Sequence, residues 1–259
     1  MSNLFSYTTL KKIAYILPFI ILALAGLEHT SQASISHFYN YLAQQAKRNL
    51  HKETTDRAKK IERYQTALKW TQLAIAYQPH SHRLHYRAGH LYRYLASLQL
   101  QRKKKQDARK KSEHHFSLAL ANNPIWGHAW SSIAWAKSRL AGHFSAAQHS
   151  FMMANKLAPN ELVTQYNLVR LAYKRWPQLD IAMQSYVQSM VNKLFARELN
   201  HPEKLFKLTV RYKRKGEMRR LIAHSKKVRY MNWLVTYART HGEKDPPWYR
   251  HTKPTLDML

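Results

Sequence analysis

Cysteine is absent from this 259-residue chain. Its absence excludes a disulfide scaffold, a thiol nucleophile and a cysteine-based zinc site. It leaves the redox compartment open, because a chain without thiols tolerates both regimes. Glycine is scarce too, with six residues. Turn signals at strand spacing are therefore missing, which favours helices over sheets. Acidic residues number 14 against 43 lysines and arginines, for a formal net charge of +29. Such a field repels itself and asks for an anionic partner; nucleic acid, anionic lipid head groups and acidic polysaccharide all satisfy it. Also missing are GxSxG, the P-loop, GxGxxG and HExxH, and with them the chemistries those motifs carry. The expectation is a protein that is not an enzyme, with no catalytic residue, no cofactor and no metal. His82 and His85 stand one helical turn apart, but no carboxylate or cysteine nearby completes a ligand set, and the adjacent His114 and His115 point in different directions.

Against these absences stands an uncharged apolar run at residues 13–27, preceded by Lys11 and Lys12. It is short of the ~20 residues a spanning helix needs, although Thr8, Thr9 and Leu10 extend it if the lysines snorkel. Its length also suits the core of a signal peptide, with Ala23-Leu24-Ala25 as the cleavage-like element. Residues 13–30 are thus an anchor or a signal. The next lysine or arginine after the run is Lys47. The positive-inside rule then places residues 1–12 in the cytoplasm and the body in the periplasm of a bacterium, on a single-pass inner-membrane topology.

Three segments of the body share one spacing of small residues, a central side chain and a proline. They are Ala67, Thr71, Ala74 and Pro79; Ser112, Phe116, Ala119 and Pro124; and Ala147, Phe151, Ala154 and Pro159. Small residues let a neighbouring helix approach, an aromatic fills the space beside them, and the proline stops the helix. A second set follows each proline in phase: Ala88, Gly89 and Tyr92, then Trp130, Ile133 and Ala134, then Leu168 and Val169. On these residues the chain resembles the tetratricopeptide repeat family over residues 34–195. Pro79 and Pro124 are further apart than the family's repeat of about 34 residues, so a segment is inserted there, and the Gly of the third set is absent.

The resemblance implies an all-α fold: a short right-handed solenoid of helical hairpins behind an N-terminal transmembrane helix. An irregular helical bundle is the alternative. The expected helices are 34–49 with 57–77, 82–100 with 109–121, 129–140 with 144–157, and 161–174 with 179–199. Residues 31–200 hold the repeats. Residues 201–241 are expected to form a basic helical cap, with helices at 203–212, 217–224 and 229–240, which covers the last apolar face. Residues 242–259, with Pro246, Pro247 and Pro254, are expected to be irregular.

Two basic clusters stand out. Arg102, Lys103, Lys104, Lys105, Arg109, Lys110 and Lys111 fill the insertion, expected as a mobile loop with a helix starting at Arg109; Lys103, Lys104, Lys105, Lys110 and Lys111 are its anion-contact candidates. Arg211, Lys213, Arg214, Lys215, Arg219 and Arg220 are the candidates of the second, with Tyr212, Tyr230 and Trp233 interleaved. Those aromatics also fit core positions, as do Trp70, Trp126, Trp130 and Trp135. Trp126 lies in the turn between hairpins, where it is either core or a partner contact.

In a solenoid of this kind the first helix of each pair lines the concave side. The resemblance makes Arg83, Tyr86, Arg87, His90, Arg93, Lys137 and Arg139 the groove candidates, for an extended peptide or a membrane-complex subunit. The expected function is a membrane-anchored scaffold for protein–protein assembly in the bacterial envelope. In length, anchor position and repeat quality the chain is also similar to small anchored accessory proteins of bacterial exopolysaccharide biosynthesis and export, a likeness of layout without a motif. The rival is a basic nucleic-acid or anionic-lipid binding module.

Overall fold

The computed structural model describes residues 7–48 and 56–197, together with Leu205, Leu208, Thr209, Arg211 and Tyr212; at residues 7–17, 19–21, 23, 29 and 197 only the backbone is described. Every regular element among the described residues is helical: α1 (Tyr7–Arg48), α2 (Arg57–Tyr77), α3 (His82–Leu98), α4 (Arg102–Asn122), α5 (Gly127–Leu140), α6 (Ser145–Leu157), α7 (Leu162–Lys174), a 3-10 turn (Trp176–Gln178) and α8 (Ile181–Arg197). The chain divides into two compact units between Leu157 and Ala158. Among the described residues no helix is long and apolar enough to cross a membrane.

Local chemistry sets several helix ends. Asp56 caps α2, its carboxylate accepting the Ala58 N–H at 2.8 Å, and Asp180 does the same for α8, accepting the Met183 N–H at 2.7 Å. Pro79 and Pro124 lie two residues beyond the last residue of α2 and α4, and Pro159 two beyond α6; each forbids continuation. Between α5 and α6 the chain turns at Gly142, whose φ of 80° an L side chain rarely adopts.

The first unit is built from three helical pairs, α1 with α2, α3 with α4 and α5 with α6, joined by smaller contacts of α2 with α3 and α4 with α5. All nine non-proline positions of the repeated spacing are buried: Ala67, Thr71, Ala74, Phe116, Ala119, Ala147, Phe151 and Ala154 completely, and Ser112 almost so. In the first pair the Ser36 hydroxyl donates to the Ala74 carbonyl at 3.0 Å, and Tyr39 stacks on Trp70 and Tyr77. In the second, α3 and α4 touch at Gly89. A Cβ there would lie 2.7 Å from two ring carbons of Phe116, and the Ser112 hydroxyl donates to the Gly89 carbonyl at 2.8 Å. Phe116 then joins Leu120, Ala129, Ile133 and Ala136 in the cluster that seats α5. Between α2 and α3, Tyr64 stacks on Tyr94 and the Gln72 amide donates to the Tyr92 hydroxyl, while the Arg57 guanidinium closes the open end of α3 at the Leu98 carbonyl.

In the second unit α7 pairs with α8. Leu168, Val169, Leu171 and Ala172 of α7 and Val187 and Val191 of α8 are fully buried, and Leu205 is nearly so.

Two expectations are corrected. The insertion 102–108 is helical, not a mobile loop: α4 begins at Arg102 and not at Arg109. Lysine and arginine are good helix formers, and Asp107 stands four residues from both Lys103 and Lys111, where opposite charges meet on a helix. The first repeat helix does not begin at residue 34 either. It continues from the apolar run as one 42-residue helix that passes through Pro18, because neither glycine nor proline stands between residues 27 and 48 to end it. The expected helices at 217–224 and 229–240 and the tail at 242–259 lie outside the described residues. At 203–212, Leu205, Leu208, Thr209 and Arg211 are helical.

The Gly89 contact yields a sharp expectation. Gly89→Ala destabilises the fold by about 1–3 kcal/mol through overpacking, measured by urea unfolding, and Phe116→Leu in the same chain recovers part of that loss. A Gly89→Ala chain as stable as the parent would show that the helices do not meet as described.

Candidate binding surface of the first unit

Of the groove candidates, Tyr86, Arg87, His90 and Arg93 are half-buried residues of α3, Lys137 and Arg139 half-buried residues of α5, and Arg83 is exposed. Helical spacing places Tyr86, His90 and Arg93 on one side of α3. Tyr86 and His90 pack edge to face at 4.4 Å; His90 also meets Phe116, at 5.2 Å, and Tyr86 meets Trp126, at 4.5 Å. Ser132 of α5 approaches both, with its hydroxyl 3.4 Å from the Tyr86 hydroxyl and 3.5 Å from His90 Nε2. These side chains therefore join α3, α4 and α5. Trp126 is half-buried and packs against Tyr86 and His82, so it belongs to the packing between hairpins.

Burial pushes the His90 imidazole well below its ordinary range, helped by the positive charges of Arg93, Lys47 and His128. Arg87 is lowered by burial, and its Nη1 is buried without a hydrogen-bond partner.

Arg93 and Arg139 come together at a small pocket that is open to solvent, between α3, α4 and α5. Arg109 of α4 completes its charged lining, and Trp135, Ser97 and Ser112 its remaining polar and aromatic wall. Ala96 and Ala136 leave the space between the helices unfilled. Sequence reasoning put Arg93 and Arg139 in a groove and Arg109 in a separate basic cluster, and missed the pocket that the three share. The i, i+3 and i, i+4 spacing of Arg93 with Ser97, Arg109 with Ser112 and Trp135 with Arg139 groups the lining residues of each helix but gives no sign that the three helices meet.

On α4, Lys103, Lys104, Lys110 and Lys111 are exposed and Lys105 half-buried. Lys111 Nζ lies 5.7 Å from the Tyr92 ring centroid. Arg211 is exposed in the second unit; Lys213, Arg214, Lys215, Arg219 and Arg220 lie outside the described residues.

The histidines of α3 and α4 meet at one point. His85 Nδ1 is 3.2 Å from His115 Nδ1, and His85 Nε2 is 2.8 Å from the Pro79 carbonyl. In the tautomer whose Nε2–H donates to that carbonyl, His85 Nδ1 accepts a hydrogen bond from the Nδ1–H of His115. Among the described residues no group of three or more His, Asp or Glu is placed to hold a metal. His115 is lowered to about 4, by burial first and then by His85, His114 and Lys111.

No protein-family model matches the chain, and no curated protein matches it.

The lowered pKa of His115 sets the sign of a pH effect. The unfolded chain binds this proton near pH 6.5 and the folded chain only near 4, so the contribution of neutral His115 is complete above 6.5 and disappears as pH falls towards 4. Thermal midpoints should therefore fall across that window, and His115→Gln should flatten the slope. An unchanged slope in the variant would remove the His85–His115 pair from the account.

Proposed function

We propose that the chain is a non-enzymatic, membrane-anchored scaffold of tetratricopeptide type that assembles protein partners in the bacterial envelope. The observation that carries this reading is the series of three pairs, α1–α2, α3–α4 and α5–α6, in which the same small and aromatic positions recur and are buried. A repeat that buries its recurring positions against its neighbours leaves the outward side chains of its first helices for partners. Arg83 and Lys137 offer charge there. Membership of the tetratricopeptide family is part of the proposal and rests on that recurrence.

The anchor is the apolar run at 13–27 within α1. Most of its side chains lie outside the described residues; of those described, Leu22, Leu24 and Leu27 are each more than 60% exposed. They point to different sides of the helix, an arrangement that lipid suits better than water. The α1–α2 contact begins near Ser36, which meets the end of α2 at Ala74 and Gln78, so α1 runs on well past its partner helix. Exopolysaccharide biosynthesis or export is the setting that the layout favours, and an acidic polymer or anionic lipid would complement the charge of +29. The rival reading, a basic module for nucleic acid or the inner leaflet, draws on that same charge.

Reporter fusions to the C-terminus separate the two. We expect activity from a periplasm-active reporter, none from a cytoplasm-active one, and release from the membrane fraction when residues 1–30 are removed. A cytoplasmic body would contradict the envelope scaffold and leave the nucleic-acid or inner-leaflet module.

A further inference from the structure

We propose that the pocket between α3, α4 and α5 binds a tetrahedral oxyanion of the phosphate-monoester type. This inference concerns a ligand site and stands whether or not the scaffold reading holds.

Three guanidinium groups, Arg93, Arg109 and Arg139, come to one pocket from three different helices, and no carboxylate is among its lining residues. Arg93 lies over the Tyr94 ring at 5.4 Å and Arg139 over Trp135 at 5.7 Å, while Arg109 Nη1 donates to the Gln106 amide oxygen at 3.4 Å. These contacts orient the guanidiniums at the pocket. Like charges gathered in a partly desolvated pocket repel unless an anion sits among them. The two hydroxyls of the lining donate elsewhere, Ser97 to the Tyr94 carbonyl and Ser112 to the Gly89 carbonyl, so arginine forks supply the recognition.

The number of forks selects the ligand. One guanidinium satisfies a carboxylate with two parallel hydrogen bonds. Three from different directions match a group with three terminal oxygens and close to two negative charges, which a phosphate monoester supplies at neutral pH. Trp135 gives the attached body an apolar wall at the rim, and because the pocket opens to solvent the body extends outward while the anion sits among the arginines. A sugar phosphate and a phosphatidic acid head group present this same chemistry.

The test titrates the full chain, in detergent at low ionic strength, with glucose 1-phosphate, dihexanoyl phosphatidic acid, inorganic phosphate and acetate, followed by calorimetry. Saturable binding is expected for the phosphate compounds and none for acetate; whichever of the first two binds more tightly identifies the source. Arg93→Gln, Arg109→Gln and Arg139→Gln should each weaken binding by about tenfold or more, whereas Lys59→Gln and Lys156→Gln, which remove the same charge from exposed positions of α2 and α6, should change it less than about twofold. Arg109→Lys keeps the charge without the fork and should also weaken binding. If a glutamine variant fails to fold, the parent chain answers through its arginine Nε–H NMR signals, of which a small set should shift with phosphate and saturate together. Equal losses in the pocket and lysine variants, acetate binding as well as phosphate, or arginine signals that drift uniformly without saturating would each overturn the proposal.

Discussion

The approach of α3 to α4 at Gly89 is the contact on which the first unit depends. Hydrogen in place of a side chain lets the Phe116 ring lie against the α3 backbone at a distance that excludes a methyl group. One turn earlier on α4, Ser112 ties itself to the Gly89 carbonyl. Once Phe116 is there, its other side forms the apolar patch that receives Ala129, Ile133 and Ala136 of α5. The order of causes is thus a missing Cβ, a close crossing, a seated ring and a placed third helix. Tyr86 with His90 and the three-arginine pocket both follow, because each is made of side chains that only this crossing brings together.

Electrostatics works against that packing, and the chain answers it locally. Histidine is used in the interior in its neutral form: His115 and His90 are both pushed down, chiefly by burial. Cations are turned onto aromatic faces, as Arg93 on Tyr94, Arg139 on Trp135 and Lys111 on Tyr92. Arg57 spends its guanidinium on the exposed carbonyl end of α3. Such arrangements keep positive charge at the surface of a small-residue core, at the cost of sensitivity to acid.

Much of the helix pattern was legible in the sequence because its signals are short-range. Asp56 before residue 57 and Pro79 after residue 77 bracket α2 at the expected ends, and the buried positions from Ala67 to Ala154 follow from spacing alone. The all-α architecture follows from the same signals. The insertion was misjudged because charge repulsion among Arg102 to Lys105 was weighed above helix propensity and the two Asp107 pairs. Continuity of α1 was missed because residues 13–30 were read as an anchor or signal separate from the repeat; Thr30, Ser31 and Ser34 in between do not break the helix. In the structure their hydroxyls bond back to the carbonyls of Gly26, Glu28 and Thr30 and stay within the helix. The arginine pocket was out of reach for a different reason. Its three charges lie on separate helices, and only the register set at Gly89 makes neighbours of them.

Amide hydrogen exchange, resolved residue by residue near neutral pH, tests whether the Gly89 crossing holds the first unit together. If α3, α4 and α5 are locked together at Gly89 and Phe116, amides near residues 88–92, 113–120 and 130–136 exchange slowest in the first unit and share one opening free energy. Exchange of α5 at a markedly faster rate than α3 and α4, or a slowest-exchanging set elsewhere in the first unit, would contradict it.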